Sequence, residues 1–145
     1  MIVGRVQSLP LVEWRPGVLT RLYAAGSTGS DSLCVMEQVC DPGAGAPPHR
    51  HDGIEEVLLV LSGRARAHVG DEKTELGGGD SVVVPAGSRH GFTNVGSDSL
   101  RILAIFAAAT PQAVYEDEPG VVLEIGGYGT ARRDAHRAER EGGRP

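Results

Sequence analysis

The chain has 145 residues, one domain's worth, and its 40% hydrophobic and 23% charged content suits a folded core and excludes a disordered tail. A net charge of -5 argues against a protein whose main business is nucleic-acid phosphates or anionic membrane, and it leaves a small molecule as the expected partner. With 21 Gly and 9 Pro, the chain must turn tightly and often.

Met1-Ile2-Val3-Gly4-Arg5 carries no basic stretch followed by an apolar core, and the longest apolar run, Ile102 to Ala109, is too short to span a bilayer, so a cytoplasmic protein is expected. Strands are expected at Gly17 to Tyr23, Ser32 to Val39, Glu56 to Leu61, Arg64 to Val69, Ser81 to Val84, Gly91 to Asn94 and Leu100 to Ala107. Turn signals such as Asp41-Pro42-Gly43, Ser62-Gly63, Gly70-Asp71 and Gly77-Gly78-Gly79-Asp80 separate them. No apolar stretch repeats at helical spacing, so the fold class is all-β, a sandwich or barrel such as the jelly roll. Beyond Thr130 the chain is polar on every side, which predicts a solvated helix or a frayed end without chemistry.

Cys34 and Cys40 lie six residues apart along one extended segment, roughly 20 Å, which predicts two buried thiols and no disulfide. On the same segment either Glu37 or Gln38 can enter the cavity; the plainer expectation is one of them exposed and the other hydrogen-bonded to backbone. His68 depends on register. If Ser62-Gly63 is a two-residue hairpin turn, Glu56 pairs with Val69 and His68 faces outward; a one-residue bulge at Gly63 would instead set His68 opposite Glu56 as a ligand. Phe92, two residues beyond His90, is a cavity wall or core filler, among an aromatic set completed by Trp14, Tyr23, Phe106, Tyr115 and Tyr128. No Ser-His-Asp or Cys-His pattern stands in a usable context, and Gly77-Gly78-Gly79 opens no helix that would cradle phosphate.

His49 and His51 sit two apart on a strand, so both imidazoles point to one side as a clamp. Glu56 follows at an odd offset, and a turn or bulge at Asp52-Gly53 adds the half step that brings it to the clamp and turns Glu55 away. Pro85-Ala86-Gly87 predicts a sharp turn that returns His90 to the same place. Three neutral imidazoles and a carboxylate suit one divalent ion such as Fe, Mn, Ni or Zn, with positions left for water or substrate.

Here the sequence resembles the cupin superfamily: Gly43, His49, His51, Glu56 and Gly63 match its first motif, and Gly79, Pro85, Gly87, His90 and Asn94 its second, with every spacing kept. The resemblance implies a single-domain jelly-roll β-barrel over residues 1–145, with a core at about 17–109, an N-terminal arm and a C-terminal extension. It also implies His49, His51, Glu56 and His90 as metal ligands, catalytic through the metal. Trp14-Arg15-Pro16-Gly17-Val18, Glu37-Gln38 and Pro47-Pro48-His49-Arg50-His51 further resemble the small cupin cyclases of aromatic polyketide pathways, of the resistomycin kind. That implies a metal-dependent cyclase of antibiotic biosynthesis, with Zn favoured because no electron is exchanged. The same motifs also occur in quercetinase-like dioxygenases using Fe, Mn or Ni, and in non-catalytic binding cupins. A homodimer is expected, since an open jelly roll has edge strands to cover.

Overall fold

Along Leu100–Phe106 the residues Leu100, Ile102, Ala104 and Phe106 are buried while Arg101 is exposed, the period-two pattern of a pleated strand with one face on a core. The computed structural model, which describes residues 1–127 and the backbone of 132–134, repeats this pattern around two facing antiparallel sheets. The strands are β1 (Val12–Arg15), β2 (Val18–Ala24), β3 (Cys34–Cys40), β4 (Gly45–Arg50), β5 (Glu56–Ser62), β6 (Arg64–Val69), β7 (Glu72–Gly77), β8 (Ser81–Val84), β9 (His90–Asn94), β10 (Leu100–Phe106), β11 (Gln112–Tyr115), β12 (Val121–Glu124) and β13 (Arg132–Asp134). One sheet runs β1-β2-β3-β10-β5-β8 and the other β13-β12-β11-β4-β9-β6-β7. This is the expected all-β jelly roll. No helix among the described residues is long and apolar enough to cross a membrane.

The seven expected strands are present, with ends shifted by a residue or two. β1, β7, β11 and β12 were not legible, because each is short or, like Glu72-Lys73-Thr74-Glu75, polar on both faces. The polar tail is corrected in part: Arg132–Asp134 is a strand paired with β12, which a run of backbone hydrogen bonds can hold without any apolar face. The rest of that tail, with His136 and Tyr128, lies outside the described residues.

The hairpin expected across Ser62-Gly63 does not form. β5 already has β10 and β8 on its two edges, so Glu56 pairs with Phe106 and Val84, whereas Val69 of β6 pairs with His90 and Glu72 in the opposite sheet. Gly63, at φ +90°, is the point where the chain leaves one sheet for the other. Ala65 and Ala67 still face the core and His68 is half-buried on the outer side, so the facing holds although the pairing behind it does not.

β3 decides between Glu37 and Gln38. Cys34, Met36, Gln38 and Cys40 point into the barrel, and Gln38 Nε2 donates to Thr20 Oγ1 at 3.4 Å. Glu37 lies on the outer face and is nevertheless fully buried. Arg101 Nε donates to it at 2.7 Å and Tyr23 Oη at 2.6 Å, with Arg21 Nη1 at 3.3 Å. Burial by itself would raise the pKa of Glu37, but these hydrogen bonds and the two guanidinium charges outweigh it and hold the pKa below the ordinary value. The expectation of one exposed and one backbone-bonded residue is therefore corrected: both are buried, each among side-chain partners. Cys34 and Cys40 are free, and burial pushes both thiols up to about 12, so they behave as core residues.

Candidate metal centre

β4 contains Pro47 and Pro48, which lack the N–H a ladder needs, and its register against β9 slips between Ala46 and His49. After the slip His49 stands opposite His90. His51, one residue past β4, keeps the same facing, while Arg50 between them is exposed. The chain then turns at Gly53, φ +71°, and crosses to the other sheet, where Glu56 opens β5. The half step expected from a turn or bulge at Asp52-Gly53 is thus supplied by a turn that carries the chain to the other sheet and aims the carboxylate back across the barrel. Glu55 is exposed, as expected.

His90 is delivered by the predicted turn. Ser88 N–H donates to Pro85 O at 3.1 Å, Gly87 at φ +74° holds the left-handed corner, and Gly87 N–H donates to His51 O at 2.9 Å, tying the turn to the first two histidines. Asn94 closes the far end of β9, donating to Cys40 O and Asp98 O and accepting from Gly96 N–H.

The four side chains converge. Their ligand atoms lie within 4.8 Å of one another, and all four residues are buried. Each ring sets its Nδ1 at 2.8 Å from a backbone carbonyl, His49 to Pro47 O, His51 to Gln112 O and His90 to Ser88 O. Nδ1 therefore carries the proton and donates it, which leaves each Nε2 with a lone pair. His51 Nε2 and His90 Nε2 stand 3.1 Å and 2.7 Å from Glu56 Oε2, and none of these three atoms has a hydrogen-bond partner. Buried lone pairs aimed at one another are repulsive, and a divalent cation among them removes the conflict, so the donor set fits a metal.

The charge states agree with this. Burial, with repulsion from His90 and His51, pushes His49 down to about 3, so it is neutral at pH 7. Burial by itself would raise the pKa of Glu56, but the close approach of His51 and His90 outweighs it and holds the carboxyl at about 2, so it is anionic. The chamber they enclose has about 10 Å³ of free space, room for an ion or a water. Phe92 lines it, as the sequence allowed, and His68 takes no part.

Sequence reasoning missed two neighbours. Tyr115 of β11 stacks on His49 with ring centroids 4.4 Å apart, and Phe106 packs edge-on against His51 at 4.9 Å. Tyr115 is placed by the pairing of β11 with β4, for which no local signal exists. Burial pushes its phenol up to about 12, so it stays protonated at neutral pH. Beyond Gln38, Tyr115 and Ile125, which the chamber shares as walls, lies a larger cavity of about 250 Å³ whose outer side is built by β1, with Trp14 and Arg15.

A cupin-domain family model matches residues 36–106. The chain is 25% identical over 129 residues to the polyketide synthase CurC of Streptomyces cyaneus, a match covering 86% of this chain and 81% of that protein. Among solved structures, KdgF from Halomonas sp. is similar with a TM-score of 0.64 and 24% identity over 72% of this chain and 92% of its own. Oxalate decarboxylase of Bacillus subtilis, a protein with Mn(II) centres, is similar with a TM-score of 0.71 and 22% identity over 79% of this chain and 32% of its own. At these identities the two structures speak to fold alone.

Proposed function

Residues 36–106 make this chain a member of the cupin superfamily, and on that premise we propose that it is a metal-dependent enzyme closing a ring in an aromatic polyketide by intramolecular aldol-type condensation. The observation that carries the reading is the meeting of the His49, His51, Glu56 and His90 chamber with the larger cavity along Gln38, Tyr115 and Ile125. The relation to CurC along most of the chain supports the same substrate class. The four residues would hold one divalent ion, Zn by preference, since condensation moves no electrons between substrate and metal. When bound, that ion supplies Lewis-acid polarisation of a ketone oxygen.

The chain's own residues do the rest. Tyr115 and Phe106 fix the rings of His49 and His51, and three backbone carbonyls fix their tautomers. The apolar walls hold the chain of ketones folded and exclude water, which raises the effective concentration of the two reacting carbons. A C–C bond forms between a carbon that has given up one proton and a ketone carbon; the same carbon then gives up its second proton as the C=C bond forms, and the former ketone oxygen leaves with both protons as water. At about 250 Å³ the cavity falls below the roughly 300 Å³ of a typical ligand pocket, so it takes a part of a longer chain.

A quercetinase-like dioxygenase with Fe, Mn or Ni is the rival, favoured by the same donor set. Turnover under strict anaerobiosis separates the two. Cyclised product formed at an undiminished rate, with Zn able to replace the native ion, is the expected result; oxygen uptake in proportion to product would overturn the cyclase.

The same reading makes the protein a cytoplasmic homodimer. The edge strands β1 and β8 present exposed Val12 and Val83, and Leu11 precedes the first of them, surface that a second copy would cover. Light scattering at micromolar concentration is expected to give twice the chain mass, and a monomeric mass would sink this part of the proposal.

A further inference from the structure

Arg15 ends β1 and folds over the ring of Tyr115, its Cζ 3.9 Å from the ring centroid, so that guanidinium, phenol and the His49 imidazole form one stack. Its side chain is only 14% exposed. Nη1 reaches Asp117 Oδ2 at a long 3.3 Å, and that carboxylate is itself half exposed and so well solvated. Nη2 is buried and has no acceptor among the described residues.

A guanidinium stays charged at any pH a protein meets and brings five N–H donors, so the long ion pair to Asp117 and the contact with Tyr115 still leave the buried Nη2 without an acceptor. The place adjoins the 250 Å³ cavity, which Arg15 lines together with Trp14, Tyr115 and Gln38. Gln38 is engaged with Thr20, and Glu13, the one acid at this cavity, is exposed. The cavity thus offers one aromatic wall at Trp14, an apolar interior and a cation one ring away from the His49 imidazole. That combination selects a flat, conjugated molecule carrying an anionic oxygen, because a charge-assisted bond to a guanidinium is strongest where water is excluded.

We propose that Arg15 is the substrate-binding residue of this site, taking the anionic oxygen of a planar conjugated acid that lies in the cavity against Trp14, past the edge of Tyr115, with its other end toward His49, His51, Glu56 and His90. This rests on the cyclase reading for the identity of the substrate but not for the charge preference. A partly cyclised polyketide, whose closed rings are flat and whose chain ends in a carboxylate, has this chemistry. Arg15 would then set which end of the chain enters first.

The test is a binding measurement without turnover. Metal-free full-length protein, prepared with a chelator, is titrated with 2-naphthoate and with 2-naphthamide, which has nearly the same shape and no charge. Calorimetry gives the affinities, and Trp14, the single tryptophan of the chain, reports occupancy of this cavity by its fluorescence. Wild type is expected to prefer the acid by about ten-fold or more, Arg15→Gln to lose that preference, and Arg15→Lys to keep part of it. Asp117→Asn, which removes the ion pair and leaves the guanidinium, should bind the acid at least as well as wild type. Equal affinity of wild type for the two probes, a preference surviving in Arg15→Gln, or one that returns only with metal would overturn the proposal. So would a loss in Asp117→Asn equal to that in Arg15→Gln, since packing and not charge would then be responsible. A charge preference without any cyclisation would sink the reaction and leave Arg15 standing; cyclisation without the preference would do the reverse.

Discussion

Purified protein is expected to carry about one divalent ion per chain, and His90→Ala or His49→Ala to reduce that to background by elemental analysis. The expectation follows from geometry: four buried donors converge, three of their atoms lack partners, and each imidazole is already held in the tautomer that offers Nε2. On the proposed cyclase reading, turnover should fall by ~10³-fold or more with either variant, because a bound Lewis acid would lower the barrier by several kcal/mol. Circular dichroism would distinguish loss of metal from loss of fold. His136→Ala, in the tail, should retain both metal and activity. Wild-type metal content in both ligand variants would show the site to be wrong.

Gly45→Ala is expected to be among the most damaging single substitutions in the chain. A Cβ at Gly45 would stand 2.1 Å from Phe92 O and 3.0 Å from Thr93 Cα, backbone atoms of β9 that cannot move without opening the β4–β9 pair. Overpacking of this kind costs roughly 3 kcal/mol, and a drop of roughly 10 °C in Tm is expected. Because β4 and β9 carry His49 and His90 opposite each other, metal affinity should fall with stability. Gly43→Ala is the matching control. Gly43 sits at φ +82° with nothing within 4 Å of an added Cβ, so it bears only the backbone strain of about 1 kcal/mol. Thermal unfolding of the two variants side by side checks this, and equal shifts would mean that close approach of the strands is not what Gly45 provides.

The site's histidines were legible because they depend on local geometry. Two residues apart on a strand share a face by the pleat alone, and Pro85-Ala86-Gly87 specifies a turn by the conformations those residues permit. The sequence alone therefore determined that this is an all-β chain whose His49, His51 and His90 can meet, with Glu56 brought to them by the break at Asp52-Gly53, and the cupin spacing matched all four. Strand partners were a different matter, since nothing within a strand states which edge it will join. The β5–β6 hairpin was a reasonable local solution that failed because β10, some forty residues later in sequence, occupies the edge it needed. Glu37 and Gln38 alternate faces in any strand, but only the arrival of Arg21, Tyr23 and Arg101 on the outer face made it possible to bury a carboxylate there. Tyr115 and Arg15 come from segments that read as an extension and an arm, and they reach His49 through pairings that span most of the chain. Facing is set by the two-residue repeat of the backbone and travels with the sequence, whereas partnership is set by which surfaces the whole chain leaves free, and only the tertiary structure decides that.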